Sequence, residues 1–181
     1  MYRSFPQARA SRYNNTYDML ISPSKMWQCC TSATSVNSIP YRGILLKRID
    51  GEQTDLFNMY VTINGPIISF SSLKYVSPLK TLLGGGHKEF FFSMLFNRII
   101  KHASILNKTE VQITSTDIFA VDQMVELGFK IDRIKISTGS DFYQGRLTDV
   151  AGCLERIRKT EQKRNINKTN ISNSIAGNQL E

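Results

Sequence analysis

The chain has few cysteines, one tryptophan, two histidines and no long apolar run. Cys29, Cys30 and Cys153 are too few for a disulfide framework, and the adjacent pair Cys29-Cys30 has no metal-ligand spacing. They read as reduced thiols of a cytoplasmic protein that uses no metal. No stretch of about 18 apolar residues occurs, so no membrane-spanning helix is expected. The opening Met1-Tyr2-Arg3-Ser4-Phe5-Pro6 lacks the apolar segment of a secretory signal. In that setting the Asn-X-Ser/Thr triplets at Asn14, Asn107, Asn167 and Asn170 reflect an Asn-rich composition rather than glycosylation. No internal repeat is visible.

What is present fits one domain. The chain has 181 residues, 41% of them hydrophobic and 21% charged, which allows one proper core and hardly two. The formal net charge of +8 is met either by a solvated basic surface or by a site for phosphates or acidic substrates. Residues 1–40 are polar with scattered aromatics. Met19-Leu20-Ile21 and Met26-Trp27 are each an anchor for a short helix, and Trp27 reads as a core or lid residue.

From Tyr41 the pattern turns to strands. Gly43 to Ile49 ends at Asp50-Gly51, Leu56 to Ile63 ends at Asn64-Gly65-Pro66, and Ile67 to Val76 is stopped by Pro78. Asp-Gly and Asn-Gly turns between such runs predict an antiparallel meander. Gly84-Gly85-Gly86 breaks the pattern and opens a helix from Glu89 to Leu106. Its apolar stripe is Phe92, Leu95, Phe96, Ile99, Ala103 and Leu106, with Asn97, Arg98, Lys101 and His102 opposite. Glu110 to Thr114 alternates as a strand. Asp117 is placed to cap a short helix with Ile118, Val121 and Val125 inward and Gly128 as terminator. Phe129 to Ile136 and Phe142 to Leu147 read as the last strands. Beyond Val150, Cys153, Leu154 and Ile157 extend a helix into a basic, Asn/Ser-rich extension, 151–181, expected to be partly disordered.

A glycine loop entering a helix is a ready anion site, because unpaired N–H groups and the helix dipole point the same way. The motif Val76-x-Pro78-x-x-Thr81-x-x-Gly84-x-Gly86, the helix after it, a strand, Asp117-x-x-Ala120 and Leu127-Gly128-Phe129 together resemble the acetyl-CoA-binding core of the GCN5-related N-acetyltransferase superfamily. The resemblance covers residues 76–129 of a single domain spanning 1–150, in which 1–40 is the variable part. It implies an α/β fold with a mixed, mainly antiparallel sheet and helices on both faces. It further implies that Leu73 to Val76, including Tyr75, forms a strand edge splayed from its neighbour, along which the pantetheine arm lies. Thr81, Leu82, Gly84, Gly85, Gly86, His87 and Lys88 would then cradle the pyrophosphate, with Asp117, Ala120 and Met124 also lining the acyl-CoA site.

The implied reaction is direct attack of an amine on the thioester of acetyl-CoA or another acyl-CoA, with no metal. Three positions depart from the family pattern. Thr81 replaces the usual Arg or Gln, Asp117 the common Asn, and Met124 the Tyr that protonates the departing thiolate. Tyr143 is the substitute acid. His87, Asp55 and Glu52 are candidate bases by chain position. The partners expected are acyl-CoA, an unidentified amine acceptor (small molecule or protein) and a second copy of the chain as a homodimer, with no membrane. Two other readings stand beside this one. The first is a catalytically silent binding or interaction protein of the same fold, motivated by Met124 and Thr81. The second is a nucleic-acid-binding protein resting on net charge and the basic extension.

Overall fold

The computed structural model describes residues 16–24, 38–76, 88–135 and 141–177. Trp27 and the loop residues Thr81, Leu82, Gly84, Gly85, Gly86 and His87 lie outside the described residues. The strands are β1 (Tyr17–Pro23), β2 (Ser38–Lys47), β3 (Gln53–Asn64), β4 (Ile67–Tyr75), β5 (Glu110–Ser115), β6 (Lys130–Lys135) and β7 (Asp141–Leu147). The helices are α1 (Lys88–Ile105), α2 (Ile118–Leu127) and α3 (Val150–Gly177).

One sheet of seven strands runs in the order β1-β2-β3-β4-β5-β7-β6. All neighbours are antiparallel except β4 and β5. This is the mixed, mainly antiparallel sheet that the resemblance implies. Gly51 (φ 71°) and Gly65 (φ 54°) take the left-handed conformation that the two hairpin turns need. Pro40 is tolerated inside β2 because β1 reaches only to the pair Pro23–Tyr41, so the missing N–H falls at the end of that ladder.

Alternation along the strands makes one apolar face: Met59, Val61, Ile68, Phe70, Val111, Ile113 and Leu147 are all buried. The described helices share it. α1 packs on β1, β5, α2 and α3, and α2 on β6 and β7. The helix expected on the opposite face is not among the described residues.

Four expectations are corrected. Met19-Leu20-Ile21 is part of strand β1, not a short helix, since its apolar residues find a pairing edge on β2. Leu106 is 37% exposed, while Phe91 and Ile100 join the buried face of α1. That helix is covered by the sheet, α2 and α3 together, so its apolar arc is wider than a single stripe.

On α2, Ile118 and Val125 face outward and Ala120 and Met124 inward. Its ends are nevertheless as read. The Asp117 side chain accepts from Phe119 N–H, and Gly128 (φ 83°) closes the helix with its N–H and that of Phe129 returned to the last turn. Finally, α3 runs to Gly177, well past Ile157, the last apolar residue of the helix as read. Val150, Cys153, Leu154 and Ile157 anchor its first turns in the core, and Lys101 pairs with Glu161 one turn further on.

Candidate active site

β4 and β5 run together only as far as Leu73 and Ser115. Ser115, the buried polar residue of the described core, ties that last point: its Oγ donates to the Leu73 carbonyl at 2.9 Å and accepts from Asp117 N–H at 3.1 Å. Just before it, β4 carries an irregularity at Ser72, whose φ of 53° is left-handed and whose N–H donates to Thr114 Oγ1 at 3.0 Å. A bulge of this kind turns a strand and ends its pairing.

Beyond Leu73, β4 stays with β3 and leaves β5. Phe57 faces Tyr75, and Val76 N–H donates to the Leu56 carbonyl at 2.8 Å. Antiparallel pairs alternate between hydrogen-bonded and non-bonded, so Tyr75 occupies a non-bonded position against β3. Its N–H and carbonyl therefore point into the wedge that opens where β5 ends at Ser115. The resemblance expects a splayed strand edge at this place, Leu73 to Val76, and β5 ends opposite it at Ser115.

Two helix starts stand at the mouth of that wedge. Lys88 opens α1 and Asp117 caps α2, and the Lys88 ammonium lies 2.6 Å from Asp117 Oδ2. A lysine at a helix N-terminus works against the dipole, and the Asp117 carboxylate compensates it. The same ammonium lies 5.4, 5.9 and 5.1 Å from the ring centroids of Tyr75, Phe92 and Phe119. Those rings pack on one another and on Phe57, so the partly buried Tyr75 and Phe119 are backed by the fully buried Phe92 and Phe57.

The other expected residues divide clearly. Tyr75, Val76, Lys88 and Asp117 come together at the wedge. Ala120 and Met124 are fully buried in the core, and Met124 packs against Gly145, so neither offers polar chemistry. Tyr143 is the cross-strand partner of Ser115 and, by alternation with Gly145 and Leu147, faces the helical side of the sheet beside the wedge. Asp55 is held in an exposed pair with Arg42 at 2.7 Å, and Glu52 is exposed beside Lys47. His87 lies outside the described residues.

Sequence reasoning missed Ser115, Phe92 and Phe119. The signal available for Ser115 was a polar residue ending an apolar alternation two positions before a helix cap.

Among the described residues no helix is long and apolar enough to cross a membrane. No protein-family model matches the chain, and no curated protein matches it at a significant level. Solved structures that it is similar to include a spermidine N-acetyltransferase chimera from Vibrio cholerae and hSSAT, at 15% identity and TM-score 0.45, covering 66% of this chain and 71% of that one. The N-terminal domain of a ribosomal-protein-alanine acetyltransferase from Clostridium acetobutylicum is 13% identical, with TM-score 0.44 and coverages of 64% and 86%. An acetyltransferase of Bacillus subtilis in complex with CoA is 10% identical, with TM-score 0.44 and coverages of 73% and 98%. Likenesses of this size leave the functional assignment to the chain's own geometry.

Proposed function

We propose that this chain transfers an acyl group, in the simplest case acetyl, from acyl-CoA to an amine by direct attack. The observation that carries the reading is the wedge between β4 and β5, with the Tyr75 backbone facing it and the starts of α1 and α2 at its mouth. An extended amide-bearing arm is complementary to such an edge, because it replaces the lost strand in hydrogen bonding. The diphosphate would lie at the N-terminus of α1, where the orphan N–H groups of a first helical turn and the dipole favour an anion. Glycine at positions 84–86 of the sequence would let the backbone approach the phosphates closely.

Chemistry at the thioester needs a neutral amine, a donor to the carbonyl oxygen and an outlet for the thiolate. The Tyr75 N–H is a candidate for the donor, since it points into the wedge. Tyr143, beside the wedge, is the candidate acid in place of Met124. A thiolate leaves readily, so this acid adds rate rather than deciding whether transfer occurs. The test is amine-dependent release of free thiol from acetyl-CoA by the purified chain, screened over small amines and peptides. Thiol release above the no-protein rate, lost in Gly84→Glu, supports the reading.

A second reading is an acyl-CoA-binding module without turnover. The burial of Met124 in the core, where no proton donor stands, favours it. Binding without thiol release for any amine would select it.

A further inference from the structure

The last helix carries half of the chain's charge excess. Between Val150 and Gly177 the sequence has six Lys or Arg and two Glu, against a formal net charge of +8 for the whole chain. The helix is anchored over its first turns. Val150, Cys153, Leu154 and Ile157 are buried, Arg156 Nη2 donates to the Leu127 carbonyl at 3.2 Å, and Lys101 pairs with Glu161 at 3.0 Å. Past Glu161 the helix runs on for residues 162–177, about 24 Å of axis. Every described side chain between Gln162 and Asn167 is exposed. Lys159, Gln162, Lys163 and Ile166 stand at i, i+3, i+4 and i+7, on the side of α3 opposite Ile157 and Glu161, with Arg156 and Arg158 on either flank. Neither acid of the helix cancels this side. Glu161 faces Lys101, and Glu155 reaches Lys159 across 3.6 Å in an exposed, weakly coupled pair.

We propose that the outer side of α3 is a docking surface for double-stranded DNA, held through its phosphates by Arg158, Lys159 and Lys163. Charge sets the class of partner, since cations on one exposed side suit a polyanion. Lys159 and Lys163 lie about 6 Å apart along the axis, and their flexible stems let each ammonium find its own phosphate. Shape sets the form of the polyanion. An α-helix with its side chains is about 10–12 Å across and enters the major groove of B-form DNA, about 12 Å wide, whereas the major groove of A-form RNA is deep and narrow. A membrane surface fits less well. It needs a continuous apolar face beneath the cations, and Ile166 is the one large apolar side chain described on this side of the helix. The surface is independent of the acyltransferase reading. Lys101, where α3 meets α1, lies about 20 Å along α1 from Lys88, so a duplex held on α3 leaves the wedge free.

The experiment titrates the full chain into a fluorescently labelled DNA duplex of about 20 base pairs and follows anisotropy at about 50 and about 200 mM KCl. Three phosphate contacts predict saturable binding that is about fortyfold weaker at the higher salt. Lys159→Gln combined with Lys163→Gln, shown by circular dichroism to be folded, should bind about tenfold more weakly at the lower salt and show a salt slope smaller by about two contacts. Arg48→Gln combined with Arg133→Gln removes the same charge from exposed positions off α3 and should leave binding nearly unchanged. A folded wild-type chain that binds no duplex at the lower salt overturns the site, and so does an equal loss in the two double variants, which would make net charge the cause. An RNA duplex of the same sequence bound as tightly as the DNA also overturns it, because an A-form major groove does not admit the helix. Binding instead to vesicles containing phosphatidylserine, with none to the duplex, would give the surface to an anionic membrane and overturn the proposal in that way.

Discussion

Ser115 Oγ donates to the Leu73 carbonyl at 2.9 Å, and that bond is the last tie between β4 and β5 before they part. The same oxygen accepts Asp117 N–H, so one buried hydroxyl sets both the apex of the wedge and the start of α2. Replacing Ser115 by Ala leaves a buried carbonyl and an amide without their partner, and should cost about 1–3 kcal/mol of stability. Chemical denaturation measures this. If the wedge is the acyl-CoA site, Ser115→Ala should also weaken acetyl-CoA binding, whereas Ser72→Ala, whose side chain is exposed, should not.

Asp117 has two separable roles, one per oxygen: Oδ1 caps α2 and Oδ2 faces Lys88. Asp117→Ala removes both and should cost about 0.5–2 kcal/mol as a lost N-cap. Asp117→Asn keeps the cap, since Asn serves that position well, and removes only the charge. Thermal melts of the two variants should therefore differ, with the Asn protein close to wild type.

Met124 fills the space in front of Gly145, where an added Cβ would collide with the Met124 side chain and meet Phe129 Cδ1 at 3.1 Å. Gly145→Ala should destabilise by about 1–3 kcal/mol through overpacking. For the same reason Met124→Tyr should not restore the family's proton donor. The larger ring has no space in the core, and the variant should lose stability without gaining thiol release.

How much of this was legible in the chain follows from the range of the forces involved. The end signals of α2, Asp117 and Gly128, act within a few residues, and both sit where they were read. The two hairpins were legible because Asp50-Gly51 and Asn64-Gly65 meet the backbone demand of their turns locally. The inward face of α2 was misread. Ile118, Val121 and Val125 form as regular a stripe as Ala120 and Met124, and only packing against β6 and β7 decides between them. β1 was missed because an apolar triplet has no period, and its pairing partner lies more than twenty positions away at Gly43 to Leu45. The aromatic cluster around Lys88 was unreadable for a similar reason, as its rings come from β4, α1 and α2.

His102 lies half-buried against Tyr41, with ring centroids 6.5 Å apart, and burial together with the nearby Arg98 charge lowers its pKa below 6.5. The sign follows directly. The unfolded chain binds the proton more readily than the native chain, so stability rises with pH between the folded and unfolded values and is lost as pH falls through 6.5. His102→Gln should flatten the dependence of the denaturation midpoint on pH in the window just below 6.5. An unchanged slope would remove His102 as its source.

The central claim is that the wedge between β4 and β5, with the glycine loop before α1, binds acyl-CoA. Calorimetric titration of acetyl-CoA into the chain and into Gly84→Glu tests it most directly. Saturable binding by the wild-type chain, abolished by the introduced carboxylate while the fold is retained, is the predicted result. A folded wild-type chain that takes up no acetyl-CoA, or a Gly84→Glu chain that binds it equally well, would contradict the account.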